Sequence, residues 1–428
     1  MERVPPEGER NMPGETIQTA KDRLRSAVGN NPGRSRSHNR RVVLDLLRSH
    51  GQLGRKQLAD MTRLTTQAVA NIIEELLAEN LLIDLGRRRS GRGQPPIQFA
   101  LNPDGAITIG IEISVTDLAT AVLDLGGNLR HARRIPVADA RPAALLPLIE
   151  AQVDALRASF PAALMGVGVV MPGPFEIEGL SGVGPTTLPG WAGTDIAARL
   201  AERLGVPVRV ENDANAAAVG ETLFGAGQAL SDFCLIYFGA GIGLGIISSN
   251  QPLRGAFGNA GEIGHVVVSP GGRPCQCGQS GCLERYASLH ALREHLAAAD
   301  RPADFAALEE MQRRGDPLLA EWVEMAAAHL SIMVGLLENI LDPETVILGG
   351  ALPDSLIEAL IARLRPGPSV SNRSDRHLPR VTRGQTGQMT AALGAAALPF
   401  FDALMPRLDL SEKPARGEEQ QAGLARPA

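Results

Sequence analysis

Six runs of this chain are apolar almost without interruption, and that continuity restricts the fold more than any other feature. They are "AITIGIEI", "LATAVLDL", "MGVGVVMPG", "VPVRVEND", "FCLIYFGAGIGLGII" and "TVILGGAL", each bounded by glycine or proline. A strand with one wet face alternates apolar and polar residues; a run that does not alternate is buried on both faces. Covering both faces takes helices, and helical stretches do alternate with these runs: "AALLPLIEAQVDALRASF", "GTDIAARLAERLG", "NAAAVGETLFG" and "PLLAEWVEMAAAHLSIMVGLLENIL". Residues 103–408 are therefore expected to form an α/β domain. Two stretches, "AITIGIEI…TAVLDL" and "FCLIYFGAGIGLGII", share the order strand, turn, strand. They suggest two related lobes, residues 103–223 with a C-terminal helix near 385–405, and residues 224–384.

The chain of 428 residues carries a different pattern upstream of that domain. Over residues 38–102, "NRRVVLDLLRSHG" has the spacing of a helix stopped by Gly51. "GRKQLADMT" gives a short second helix and "TTQAVANIIEELLAENLL" a third, with Val69, Ile72, Ile73 and Leu76 on one face. The strands "LIDLG" and "IQFALN" follow, on either side of "RRRSGRGQPP". That order predicts a winged helix-turn-helix. The exposed start of the third helix offers Thr65, Thr66, Gln67 and Asn71, side chains suited to base edges in a major groove. The wing offers Arg87, Arg88, Arg89 and Arg92 between glycines that permit close backbone approach. Taken alone, those arginines fit a solvated loop equally well, because the chain uses arginine almost to the exclusion of lysine.

Charge separates the two segments. Residues 34–100 carry 12 basic against 6 acidic side chains, whereas the whole chain has a net charge of −5. A basic module on an acidic body points to a polyanionic partner, DNA. Residues 1–37 and 409–428 read as disordered polar tails. The first thirty residues lack the apolar segment of a secretory signal, no unbroken apolar stretch is long enough to span a membrane, and cysteine is scarce. A cytoplasmic protein without a membrane partner is expected.

Three clusters carry chemistry. "FGAGIGLGI" places Gly239, Gly241 and Gly243 in a turn where backbone N–H groups can approach an oxyanion, or where a buried hairpin simply packs tightly. "VENDANAAAVGE" sets Asn212 and Asp213 at the end of a strand, where α/β sheets bind ligands; Asp213 fits a general base, a hydroxyl anchor or a helix N-cap. "GEIGHVVVSPGGRPCQCGQSGCLE" gathers His265, Cys275, Cys277 and Cys282, a Cys₃His set that zinc accepts, with Glu262 and Glu284 on either side.

With "MPGP", "LPGW", "ENDANAAA", "GAGIGLG", "GEIGH", "CQCGQSGCLE" and "VILGG" in this order, the chain resembles the ROK family of repressors, open reading frames and kinases over residues 38–405. The resemblance implies an actin/hexokinase-like, ribonuclease H-like domain of two lobes with a sugar cleft between them. It implies structural Zn2+ on His265, Cys275, Cys277 and Cys282, and sugar hydroxyls held by Asn212, Asp213, Glu262, His265 and Glu284. In the family's kinases the aspartate matching Asp213 is the catalytic base. Those kinases also hold ATP phosphate on Asp-x-Gly-Gly-Thr, where this chain has Glu112, Ser114, Val115 and Thr116. Glu112 and Ser114 depart from the pattern, and β-branched Val115 disfavours the turn. The first phosphate loop is thus expected to be vestigial, with Gly239, Gly241 and Gly243 left from the second. The expected function is a sugar-responsive DNA-binding regulator, a repressor of carbohydrate genes. It would act as a homodimer or homotetramer on operator DNA, released or engaged by a sugar or sugar phosphate. An ATP-dependent hexose kinase is the alternative.

Overall fold

The computed structural model describes residues 32–87, 97–115, 117–173, 188, 190, 191, 195–371 and 375–404. Arg88, Arg89, Arg92 and Thr116 lie outside them, as do the segments 1–31 and 405–428.

Helix α1 (Pro32–His50) starts upstream of residue 38, so the expected N-terminal tail gives way to helix at Pro32, whose fixed φ suits a first turn. Then come β1 (Leu53–Gly54), α2 (Arg55–Thr62), α3 (Thr66–Ala78), β2 (Leu82–Arg87) and β3 (Ile97–Leu101). Arg63 in a left-handed conformation ends α2, and the Thr65 side chain accepts a hydrogen bond from Ala68 N to start α3. Val43, Leu47, Leu58, Val69, Ile73, Leu76 and Phe99 fill the core of this module. The strands pair antiparallel in the order β1-β3-β2. This is the winged helix-turn-helix.

The remainder is built twice on one plan. In the first sheet β4 (Ala106–Ile113) pairs antiparallel with β5 (Asp117–Asp124), which pairs with β6 (Leu129–Pro136). On its other side β4 runs parallel to β7 (Ala163–Met171), followed by β8 (Val208–Asn212). In the second sheet β9 (Phe233–Phe238), β10 (Ile242–Ser248) and β11 (Gln251–Pro252) make the antiparallel side. Strands β12 (Thr345–Gly350) and β13 (Val381–Arg383) make the parallel side. The orders β6-β5-β4-β7-β8 and β11-β10-β9-β12-β13 are therefore equivalent.

Helices cover both faces, as the unbroken apolar runs require. On the outside of the first sheet lie α4 (Pro142–Ser159) and α5 (Ile196–Leu204), with Leu145, Ile149, Val153 and Leu200 against Ile109, Ile111 and Val169. Between the sheets lie α6 (Asp213–Phe224), against β9 and β10, and the C-terminal helix (Thr390–Leu404), against β4, β5 and β7. Small residues set this spacing. A Cβ at Gly168 would stand 1.8 Å from Ala395 O, and one at Gly394 would stand 2.4 Å from Ala216 O. Outside the second sheet lie α7 (Glu284–Ala287), α8 (Leu289–Ala297), α9 (Phe305–Arg314), α10 (Pro317–Leu341) and α11 (Asp354–Arg363). Helix α10 is long and apolar enough by composition to cross a membrane, but half of its apolar window is buried in this lobe, with Trp322, Leu330, Met333 and Val334 inward.

A buried carboxylate ties these parts together. Glu221, on α6, accepts hydrogen bonds from Ala226 N, Gln385 N, Thr386 N and Thr386 Oγ1, at the point where the chain leaves β13 for the C-terminal helix.

Candidate functional site

The sequence places Asn212 and Asp213 where β8 ends and α6 begins, and the structure divides their tasks. Asn212 is the N-cap: its Oδ1 accepts from Ala214 N at 2.9 Å. Asp213, the first helical residue, accepts from Ala214 N at 2.8 Å. The capping role left open for Asp213 belongs mainly to its neighbour, and the Asp213 carboxylate turns to a cavity.

That cavity is lined by Asn212, Asp213, Glu262, His265 and Glu284 together with Gly239, Gly241 and Gly243. Residues from three separated segments thus meet around one space. Pro172, Gly173, Tyr237, Ala260 and Gln276, none of them singled out individually from the sequence, also line it. Gly173, within the "MPGP" motif, could have been found: a Cβ there would stand 2.8 Å from Asn212 Nδ2 and 3.3 Å from Glu262 Oε1. Tyr237 carried no signal, since it sits in an apolar strand like any core aromatic.

The glycines of the β9–β10 hairpin serve closeness rather than left-handed backbone. A Cβ at Gly239 would meet Asp213 Oδ2 at 3.1 Å, and one at Gly243 would meet the Ala214 Cβ at 3.0 Å. They let α6 dock against the hairpin and leave Asp213 open to the cavity.

The electrostatics are dominated by carboxylates. Burial, with the added repulsion of Glu112 and Glu262, pushes the Asp213 carboxyl up to about 7. Burial also raises Glu262, with His265 opposing and Glu284 reinforcing the shift. Glu112, at the end of β4, is raised by burial and held by the Arg134 guanidinium on β6, Nη2 to Oε2 2.8 Å. Arg134 was not legible as its partner, because β6 is exposed and polar and shows no strand pattern.

The turn after β4 is closed on itself. Ser114 N donates to Asp117 O at 2.9 Å and Asp117 N donates to Ser114 Oγ at 3.0 Å. Val115 has no positive φ. The groups that could greet a phosphate at Ser114 are thus committed within the turn.

Beside the cavity, His265, Cys275, Cys277 and Cys282 present ligand atoms all within 4.8 Å of one another. Cys275 Sγ lies 3.6 Å from His265 Nδ1, and Cys277 Sγ lies 3.6 Å from Cys282 Sγ. Three soft donors and an imidazole at this spacing could hold a metal ion. A short ladder builds the set: Val268 N donates to Gly281 O and Leu283 N to Val266 O. Gly281 is obligatory at φ +89, where a Cβ would stand 1.7 Å from Ser269 O. Glu284 follows directly, its Oε2 3.4 Å from the position of a Cβ on Gly264. Cys234, in contrast, is buried in β9; burial lifts its thiol to about 12, which makes it an inert core side chain.

At the start of α3, Thr65, Thr66, Gln67 and Asn71 are exposed, and Gln67 Nε2 donates to Asn71 Oδ1 at 2.9 Å. Arg87 is exposed at the end of β2. Between this module and the cavity lobe, whose buried apolar side chains belong to one cluster, Arg48 Nη1, on α1, donates to Leu223 O at 3.3 Å, in the last turn of α6.

Comparison with known proteins agrees with this geometry. The ROK family model matches residues 108–400. The chain is 27% identical to the xylose repressor of Bacillus spizizenii over 74% of its own length and 83% of the repressor's. Its fold matches a ROK family transcriptional regulator, a homologue of the E. coli MLC protein, with a TM-score of 0.68 at 23% identity, covering 87% of this chain and 98% of that one. It also matches a ROK family glucokinase from Streptomyces griseus, solved with glucose and AMPPNP, with a TM-score of 0.56 at 28% identity, over 68% of this chain and 98% of the kinase. The chain belongs to the ROK family.

Proposed function

We propose that this protein is a sugar-responsive transcriptional repressor acting in the cytoplasm, with operator DNA held by residues 38–102 and a sugar in the cavity of residues 103–408. The observation that carries this is the winged helix-turn-helix joined to the carboxylate-lined cavity. Relatives named xylose repressor are similar across most of their length, and the match to the regulator structure extends over 87% of the chain, against 68% for the glucokinase. Thr65, Thr66, Gln67 and Asn71 would read bases. Arg87, with Arg88, Arg89 and Arg92, would contact the backbone or a minor groove. Asn212, Asp213, Glu262, His265 and Glu284 would take sugar hydroxyls, carboxylates accepting and the Asn212 amide donating.

Zinc is the ion proposed for His265, Cys275, Cys277 and Cys282. Tetrahedral zinc with bonds of about 2.3 Å to sulfur separates two sulfurs by about 3.8 Å, close to the 3.6 Å between Cys277 and Cys282. The ion would brace the loop that carries Glu284 and fix the His265 ring. A route to the DNA module is supported by α6, which starts at the cavity residues and ends at the carbonyl gripped by Arg48. Closure of the cavity on a sugar would shift that helix and bias the module between two arrangements.

Turnover of ATP is proposed to be weak or absent. The closed Ser114–Asp117 turn and the Glu112–Arg134 pair support this, although Asp213 retains the environment of a base. The deciding experiment is a mobility shift of the promoter DNA beside the protein's own gene, with a panel of sugars and sugar phosphates. Specific retardation, relieved by one sugar, is expected. Phosphorylation of a sugar by ATP, abolished in Asp213→Asn and without any DNA retardation, would establish the kinase reading instead.

A further inference from the structure

Cys275 and Cys277 ride on a hairpin, residues 273–281, that is tied to itself. Cys275 N donates to Gln279 O at 2.8 Å, and Gly281 N donates to Arg273 O at 2.8 Å. At the far end from its base, Gln276 and Cys277 line the cavity. The stretch 271–281 includes Gly271, Gly272, Gly278 and Gly281, and glycine gives up more chain entropy than other residues when it is fixed. Such a hairpin keeps its own shape but can tilt at its base. A small tilt would carry two sulfurs away from His265 and Cys282.

A side chain outside the ligand set holds that base. Tyr286, in α7, is 7% exposed, and its hydroxyl accepts from Arg273 N at 2.8 Å. The Arg273 guanidinium lies over the same ring, 5.2 Å from its centroid, and Nη1 donates to Arg285 O at 3.0 Å. The approach is close, since a Cβ on Gly272 would stand 2.1 Å from the Tyr286 hydroxyl oxygen. The Tyr286 ring in turn stacks on the His329 imidazole of α10, with centroids 4.1 Å apart and planes 13° from parallel. His329 is itself fixed: its Nδ1 donates to Met325 O at 2.8 Å, and Met325 Sδ accepts from Arg273 Nη2 at 3.7 Å. Helix α10 is packed into the second lobe through Trp322, Leu330, Met333 and Val334. These contacts therefore refer the hairpin to a rigid element distant in sequence.

We propose that Tyr286 is a positioning residue for the metal set: by holding Arg273 to α10 it fixes the tilt of the hairpin and slows release of the ion. The proposal rests on the reading of His265, Cys275, Cys277 and Cys282 as a metal site, and adds a residue outside those four. For an ion to leave, the hairpin must swing away from Cys282. That swing breaks the bond between Arg273 N and the Tyr286 hydroxyl and draws the guanidinium off the ring. Stacked rings and cations over aromatic faces hold best where water is excluded, as it is around a buried tyrosine. Groups beyond the ligands that orient them commonly change metal affinity by about 10–100-fold. The same contacts set Glu284, two residues before Tyr286, and the cavity wall at Gln276 relative to α10.

The test loads the full chain with Zn2+ and follows its release to a chromogenic chelator at neutral pH without denaturant. Release should be about tenfold faster in Tyr286→Leu, which loses ring and hydroxyl. Tyr286→Phe, which keeps the stack, should fall between that variant and wild type. Arg273→Ala, at an exposed side chain, should also speed release without opening a gap in the core. The Co2+-loaded variants should share the d–d absorption of wild type, because the four ligands are kept. Leu360→Ala, a core change in α11 of the same lobe, is the control: it should lower the urea midpoint and leave the release rate unchanged. Equal rates in wild type, Tyr286→Leu and Arg273→Ala would overturn the proposal. So would equal acceleration by Leu360→Ala, which would mean that Tyr286 acts only through global stability. Should Tyr286→Leu fail to fold, Tyr286→Phe and Arg273→Ala decide, and wild-type rates in both overturn it. A wild type that takes up no Zn2+ would remove the metal reading and this proposal with it, an outcome distinct from zinc bound and released at one rate throughout.

Discussion

Replacing Asp213 by asparagine should stabilise the unliganded protein at pH 8 and leave it nearly unchanged at pH 4. Burial, Glu112 and Glu262 raise this carboxyl from 3.8 to about 7. Between those values the unfolded chain has released its proton and the folded chain still holds it. Stability therefore falls as pH rises through this window, by about 1.4 kcal/mol per pH unit. Across the interval the loss reaches about 4 kcal/mol, and above pH 7 it stays constant. The cavity leaves part of Asp213 open to solvent, so screening brings the expected figure nearer about 2 kcal/mol. Asparagine is neutral at every pH and keeps an oxygen to accept from Ala214 N, so it escapes the loss without leaving that donor unpaired. Urea unfolding of wild type and variant at half-unit steps from pH 4 to 8, followed by tryptophan fluorescence, measures the difference. The gap between the two midpoints should widen with pH and level off above about 7. A gap independent of pH, or one that favours wild type as pH rises, would refute the assignment of a raised carboxyl to Asp213.

Other substitutions probe the rest of the machinery. Cys277→Ser should lower bound metal measured by mass spectrometry and weaken the sugar response, since the loop bearing Glu284 loses its brace; unchanged metal content would remove the proposed ligand. Glu221→Ala should cost about 3–5 kcal/mol in urea unfolding, because Ala226 N, Gln385 N and Thr386 N lose a buried acceptor together. Arg48→Ala should leave sugar affinity and operator affinity within about threefold of wild type and reduce only the coupling between them, a contribution of about 1 kcal/mol. Titration calorimetry with and without operator DNA reads that quantity, and an unchanged coupling would exclude the Arg48–Leu223 contact as the route.

The local pattern carried the elements that have a strong period or composition. The third helix of the DNA module, the apolar strands of both lobes and the Cys₃His set stand where their residues imply. Elements without such a signal escaped: β6, "LRHARRIP", is an exposed edge strand whose basic residues discourage further pairing and hide the alternation. The short helices α7 to α9 likewise lack a long periodic run. For the site, residue type and spacing brought out each cluster separately, yet nothing local indicated that Tyr237 and Gly173 would share a cavity with Asp213.

What this sequence determined by itself is which segments become most of the strands and helices and which side chains stand as candidates for metal, sugar or DNA, because those depend on neighbours a few positions away. The pairing of Glu112 with Arg134, the hub at Glu221 and the Asp213 carboxyl raised to about 7 came only from the tertiary structure. Each arises from groups brought together across the packed lobes, where burial and through-space charge, and not sequence separation, set the energy.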